Sequence, residues 1–167
     1  MPKPILLLLL FLQRQILIHQ LLYQEKELTW IDFSTYLPQL VHTVSSIFKK
    51  EGDIVDVEIE AKNISFDIDT SIPLGLIITE LLSNAFKYAF DEIKKGTIKI
   101  MISRVEDRNY LLTVADNGKG LPEATRIDEY TSMGLRLVKM LTGQLNGTLD
   151  YHFDKGAVFS IKFTEIL

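Results

Sequence analysis

Apolar residues return every third or fourth position between Leu74 and Ala89, the period of a helix with one side on a core. At about 100° per residue, Leu74, Ile78, Leu81, Leu82, Ala85 and Ala89 share that side. Glu80, Asn84 and Lys87 fall within roughly 60° of one another on the opposite side. Upstream, IVDVEIEA alternates strictly. Val55, Val57, Ile59 and Ala61 lie on one face and Asp56, Glu58 and Glu60 on the other, the pattern of a half-exposed strand. Lys62 and Asn63 are expected to turn this strand into ISFDI, its hairpin partner. Asp69, Thr70 or Ser71 should then open the next helix, with Pro73 in its first turn.

Leu28 to Phe33 predicts a short strand or extended link. Ser34 or Thr35 is the expected cap of a helix running to about Phe48, with Pro38 near enough its start to be tolerated. TIKIMISRV and YLLTVAD read as strands joined by a polar turn over Glu106, Asp107, Arg108 and Asn109. Gly118 to Met133 has no apolar period and predicts a loop; Leu135 to Leu145 predicts a helix. TLDYHF and AVFSIKF close the chain as a hairpin around Asp154, Lys155 and Gly156. Hairpins dominate, so the sheet should be mixed and mainly antiparallel, with the helices collected on one face. The expected class is an α/β (α+β) two-layer sandwich plus an N-terminal helix.

That N-terminal helix is expected from about Ile5 to Gln24. Its apolar run, Ile5 to Leu12, resembles a signal-peptide core, but Gln13, Arg14 and Gln15 stand where a small-residue cleavage site would be. The run is also far short of the ~20 apolar residues that span a bilayer. Apolarity beyond what one domain face needs points to a partner helix, such as the same helix of a second copy. A membrane-associated or export segment is the alternative.

Composition then narrows the chemistry. A chain of 167 residues suits one domain with a short appendage. The net charge of −4 argues against a nucleic-acid binder driven by bulk electrostatics. Without cysteine there are no disulfides, thiol nucleophiles or thiolate zinc sites. His19, His42 and His152 form no His-x-x-x-His pair, which disfavours a histidine metal centre.

Three stretches carry candidate chemistry. ELLSNAFKYAF lines up a carboxylate and a carboxamide, suited to a hard cation such as magnesium, with an ammonium suited to phosphate. A solvated face with an ordinary charge pair is the simpler reading of that segment alone. YLLTVADNGKG is more pointed. Leu112, Val114 and Asp116 share one strand face, so a carboxylate continues an apolar row, where an unpaired charge is unfavourable and a ligand could supply the missing donor. Gly118 and Gly120 let backbone pass close to a ligand. A polar loop follows instead of a strand, which argues against a simple Asn-Gly hairpin. Finally, SMGLRLVKMLTGQLNG places Gly134 at a loop-to-helix junction, where open N–H groups and the helix dipole favour phosphate, with Arg136 and Lys139 nearby on that helix.

In order, Glu-x-x-x-Asn on a helix, Asp-x-Gly-x-Gly after a strand and Gly-Leu opening a helix resemble the GHKL ATP-binding superfamily. That group comprises gyrase, heat-shock chaperones of the ninety-kilodalton class, sensor histidine kinases and MutL. ELLSNAFKYAF looks like its N box, ADNGKG its G1 box and SMGLRLV its G2 box, and the similarity runs from about Leu28 to the C-terminus. IHQLLY followed by IDFSTYL, with Glu80 leading the N box, is similar to one subgroup of sensor histidine kinases. The resemblance implies that Asn84 would coordinate magnesium bridging the triphosphate. Glu80 would hold or activate a water, or polarise the attacking group. Lys87 would meet phosphate oxygens, and Tyr88 would line the nucleotide site. Asp116 would accept from the adenine amino group, with Gly118, Gly120 and Leu121 bordering the base. The stretch from Pro122 to Met133 would form an ATP lid, and Gly134 and Leu135 would offer backbone contacts to phosphate.

Two departures stand out. The family's last hairpin usually carries Gly-Thr where this chain has Gly156 and Ala157, losing a hydroxyl beside the adenine. No histidine stands in the family's phosphoacceptor context, and packing or surface roles suit His19, His42 and His152. The expected protein is a truncated sensor histidine kinase, with residues 1–27 a remnant of the dimerisation and phosphoacceptor helices and residues 28–167 the catalytic domain. Its expected cofactors are ATP and Mg2+. Expected partners are a histidine-bearing dimerisation helix, a response regulator and a second copy through the N-terminal helix, with no nucleic acid. A cytoplasmic site is expected, with a membrane-associated parent compatible. An anti-sigma-factor-type serine kinase and a non-enzymatic nucleotide-sensing dimerisation module are the alternatives.

Overall fold

Two aspartates, each closing a three-residue strand, open the first two helices. The computed structural model describes residues 16, 30–52, 54–90, 95–122 and 132–166. Strand β1 (Trp30–Asp32) ends on Asp32, whose carboxylate accepts the Ser34 N–H at 2.8 Å and starts α1 (Phe33–Phe48). After β2 (Ile54–Glu60) comes β3 (Ser65–Asp67). Asp67 accepts the Thr70 N–H at 2.9 Å and starts α2 (Ile68–Asn84). Both helices therefore begin earlier than their sequence suggests, because an acid at the strand end outcompetes the later Ser and Thr as N-cap. Pro73 consequently lies past the first turn instead of in it.

Then follow β4 (Lys95–Glu106), β5 (Asn109–Asp116), α3 (Met133–Gln144), β6 (Thr148–Phe153) and β7 (Ala157–Thr164). Five strands form one sheet in the order β2-β4-β5-β7-β6. The β4–β5, β5–β7 and β6–β7 pairs are antiparallel and β2–β4 is parallel, a mixed and mainly antiparallel sheet as expected. Ile98, Ile100, Ile102, Leu112, Val114, Phe159, Ile161 and Phe163 are buried, while intervening residues such as Lys99, Ser103 and Lys162 are exposed. The helices thus cover one face only, giving the two-layer sandwich.

One pairing differs from expectation. β3 does not fold back on β2 but pairs antiparallel with β1 in a separate two-stranded sheet. Phe66, fully buried, decides this: its ring meets Phe33 at 5.0 Å, Tyr110 at 4.7 Å and Phe163 at 5.6 Å between centroids. Burying that ring draws β3 away, and β2 takes β4 instead, the intervening α2 serving as the long connection a parallel pair requires. The helix α3 begins at Met133, with Ser132 as its cap. The expected N-terminal helix lies outside the described residues, except that Ile16 is helical and exposed, and so does 123–131 of the expected loop. Among the described residues no helix is long and apolar enough to cross a membrane.

Candidate functional site

The helix carrying Glu80 and Asn84 is buried nearly all round, not on one side. Leu74, Ile77, Ile78 and Leu82 are inaccessible, but so are Thr70, Ser71 and Ser83, because the sheet, α1 and α3 all pack on α2. Its hydroxyls are satisfied within the chain: Thr79 Oγ1 donates to the Gly75 carbonyl at 2.8 Å and Ser83 Oγ to that of Glu80 at 3.1 Å. Glu80 itself is only 5% exposed. The polar line read from the sequence therefore faces a walled cleft and not bulk solvent.

At Ala85 the helix widens into a π-helical turn, Ala85–Ala89, a form that recurs at functional sites. Large rings account for it. The wider turn lets Phe86, Ala89 and Phe90 all bury themselves, with Phe90 seated on Gly96 of β4. It also leaves the Ala89 carbonyl to accept the Lys119 N–H at 3.1 Å, tying the loop after β5 to this turn. Lys87 and Tyr88 consequently leave the straight line drawn from Glu80. The Lys87 ammonium lies over the Phe48 ring, 4.7 Å from its centroid, and Tyr88 is 59% exposed at the cleft mouth.

The cleft, about 440 Å³, opens between the end of β5, the end of α2 with its π turn, and the start of α3. That volume suits a small organic ligand. Asp116 stands on its wall, following Val114 on the same strand face. Its Oδ1 accepts two backbone N–H groups, from Gly118 at 2.8 Å and Ala157 at 3.3 Å, while no described residue donates to Oδ2. Burial pushes this carboxyl above the usual carboxylate range, and the Gly118 and Ala157 N–H groups draw it partly back. The charge that looked unpartnered in the sequence is thus half satisfied by backbone.

Glycine serves the wall mainly where chain meets chain. A β-carbon at Gly118 would strike the Ala89 backbone, and one at Gly156 the Asp116 carbonyl oxygen. At Gly134 it would stand 2.7 Å from Glu80 Oε2 and 3.6 Å from Asn84 Nδ2, so the first turn of α3 sits directly on those two polar groups. Leu135's N–H is already taken by Ser132 Oγ at 3.3 Å, which leaves the N–H groups of Met133 and Gly134 without an acceptor among the described residues.

The structure brings Glu80, Asn84, Lys87, Tyr88, Asp116, Gly120, Leu121, Met133, Gly134, Leu135 and Ala157 to this one cleft. Gly118 stands behind the wall, supporting Asp116. Lys119, Leu137 and Phe159 line the cleft as well, beside Val114, which shares the strand face of Asp116. Alternation places Val114 and Phe159 on the inner sheet face, but only packing shows that this stretch of the face is uncovered.

The family model described as histidine kinase-, DNA gyrase B- and HSP90-like ATPase matches residues 69–166. The chain is 26% identical over 147 residues to blue-light-activated histidine kinase 2 of Erythrobacter litoralis, covering 83% of this chain and 42% of that protein. It is 30% identical over 128 residues to the sensor histidine kinase PdtaS of Mycolicibacterium smegmatis, covering 73% of this chain and 25% of that one. It therefore spans less than half the length of either relative. The solved blue-light-activated histidine kinase EL346 of Erythrobacter litoralis superposes with a TM-score of 0.77 at 26% identity, over 92% of this chain and 54% of that one. On the family match, which takes in both the acid-bearing strand and the helices that wall the cleft, the chain belongs to the histidine kinase-, DNA gyrase B- and HSP90-like ATPases.

Proposed function

We propose that this chain is the ATP-binding catalytic part of a sensor histidine kinase, setting the γ-phosphoryl group for transfer to a histidine on a separate helix. The observation that carries this reading is the Asp116 carboxylate on the cleft wall, with Oδ1 held by two backbone N–H groups and no donor to Oδ2 among the described residues. An adenine amino group is the donor that Oδ2 lacks. Guanine would present a carbonyl oxygen at that place and be repelled. Val114, Gly120, Leu121 and Ala157 would flank the base, and Ala157, lacking a hydroxyl, adds no polar contact to it.

The phosphates would extend toward α3, where the open N–H groups of Met133 and Gly134 and the helix dipole favour anions. Lys87 would complete the anion site by leaving Phe48. Magnesium fits this end: the Glu80 carboxylate and Asn84 carboxamide, side by side under Gly134, offer hard oxygen donors. Among the described residues no three His, Cys, Asp or Glu converge, so the ion would take its other ligands from phosphate and water. When bound, it supplies neutralisation of phosphate charge. Glu80, held in a nearly dry site, would orient the attacking imidazole or take its proton. Residues 1–27 would then be the end of a dimerisation helix, with the acceptor histidine and the response regulator supplied by the rest of the system.

The test is to supply a histidine-bearing dimerisation helix with ATP and magnesium. Wild type should transfer phosphate, and Glu80→Gln should lose about a hundred-fold or more in transfer rate while still binding ATP. Calorimetry showing no heat from ADP or ATP on the wild-type chain would overturn the reading. Transfer to a protein serine instead would replace it with the serine-kinase alternative.

A further inference from the structure

Strand β6 holds the loop after Asp116 at two adjoining points, and neither side chain responsible reaches the cleft. The phenol oxygen of Tyr151 accepts the Leu121 N–H at 2.9 Å. Phe153, two residues on, occupies the space a β-carbon at Gly120 would need: such an atom would lie 2.6 Å from Phe153 Cδ2 and 3.2 Å from the Tyr151 oxygen. Gly120 has φ +70°, a conformation glycine adopts readily and other residues resist. The chain therefore turns beneath Phe153 and delivers the next N–H to Tyr151.

The anchor is itself packed in the sheet. Tyr151 is paired with Phe159 in the β6–β7 register, and their rings meet at 5.0 Å between centroids. Phe159 forms part of the cleft wall, as do Gly120 and Leu121. Leu121 is partly buried, so its N–H needs an acceptor, and none but Tyr151 is found among the described residues. The loop is tied at Gly118 to Asp116 and at Lys119 to Ala89, but past Gly120 the Tyr151 oxygen is the acceptor that fixes the Leu121 end of the wall.

We propose that Tyr151 is a positioning residue for base recognition: by accepting the Leu121 N–H it fixes the Gly120–Leu121 wall at the spacing the base requires from Asp116. It touches no ligand and acts through Leu121. The idea rests on the nucleotide reading above.

Wild type and Tyr151→Phe are titrated with adenosine and with ADP by calorimetry, and each is assayed for transfer to the supplied histidine helix. Phenylalanine keeps the ring on Phe159 and removes only the acceptor. Affinity should weaken about five-fold, by the same factor for both ligands, because the wall faces the base and not the phosphates. KM for ATP should rise by that factor with kcat unchanged, a split that general loosening of the fold would not give. Equal affinities in the two proteins, or a loss confined to ADP, would overturn the role of Tyr151. If the variant does not fold, hydrogen exchange of the Leu121 amide in wild type decides. Protection that increases with adenosine supports the anchor, and exchange at the rate of an open amide overturns it. A wild type that binds neither ligand sinks the nucleotide reading and this role with it, whereas a binding wild type with an indifferent variant sinks this role alone.

Discussion

At one end of β5 the Tyr110 ring is buried against Phe66 and Phe163, with centroids 4.7 and 5.6 Å away; at the other, Asp116 borders an open cleft. Each end keeps an acid. Beside Tyr110 lies Glu165, 6% exposed, whose backbone N–H donates to the Arg108 carbonyl at 3.0 Å. Its Oε1 is buried without a hydrogen-bond partner among the described residues. Burial pushes Glu165 up, Asp67 adds to the shift, and Arg104, Tyr110 and Arg108 oppose it. Burial likewise pushes Asp116 up, and two backbone N–H groups oppose it. Similar forces act on both acids, but Glu165 has an oxygen buried without a partner among the described residues, whereas Asp116 lines about 440 Å³ of cleft. A carboxylate on a cleft wall is placed to meet a ligand, as proposed for Asp116; a buried one is not.

The largest expected effect lies at the aromatic end. Phe66→Ala removes a fully buried ring that touches three others, and should lower unfolding free energy by about 3–5 kcal/mol in denaturant titration. Adenosine affinity of the protein that remains folded should not change. Loss of affinity in folded protein would mean the two ends are not independent.

Next comes Asp116→Asn. The carboxamide oxygen still accepts from Gly118 and Ala157, while its NH2 presents donors to the donor on the base. Adenosine affinity should fall about 10- to 100-fold with the fold intact. The same acid sets a pH profile for the wild type. Asp116 holds its proton more tightly than an ordinary aspartate, so affinity should fall as pH drops through that raised value, at a higher pH than unperturbed aspartate would give. Adenosine is the probe of choice, since it has no phosphates to titrate. A flat profile, or full affinity in Asp116→Asn, would remove Asp116 from recognition.

Glu165→Gln should show the smallest effect, and only as a slope. The folded state retains the Glu165 proton to higher pH than the unfolded chain does. Its contribution therefore favours folding at low pH and is lost as pH rises through the raised value. Wild-type stability measured relative to the glutamine variant should decline as pH rises above the ordinary glutamate range. Parallel curves for the two proteins would show that the buried oxygen is hydrated after all.

Much of the architecture was legible from local pattern. The β4–β5 and β6–β7 hairpins, the helix from Leu74 onward and the order of elements all follow from alternation, helical period and turn residues. The errors arose where distant residues compete. Asp32 and Asp67 displaced the predicted caps because their backbones were already extended by pairing between β1 and β3. β3 left β2 because Phe66 had a better burial place than a hairpin could offer. At the cleft, the sequence pointed to Asp116, Gly120 and Gly134, since an acid in an apolar row and glycines at junctions are anomalies visible in one dimension. Tyr151 gave no such signal: a tyrosine in an alternating strand is ordinary until the loop it fastens is seen.

From sequence alone came the candidate groups and the family resemblance, because donor types, their spacing and the interruption of an apolar row are properties of neighbouring residues. Tertiary structure alone decided which of those groups are open. It closed Asp116 Oδ1 and Leu135 N–H with partners from the chain, bent Lys87 toward Phe48 through the π turn, and set α3 on Glu80 and Asn84. Openness depends on what packs opposite a group, and beside the local bonds from Gly118 and Ser132 the partners of Asp116, Lys87 and Glu80, namely Ala157, Phe48 and Gly134, lie tens of residues away along the chain.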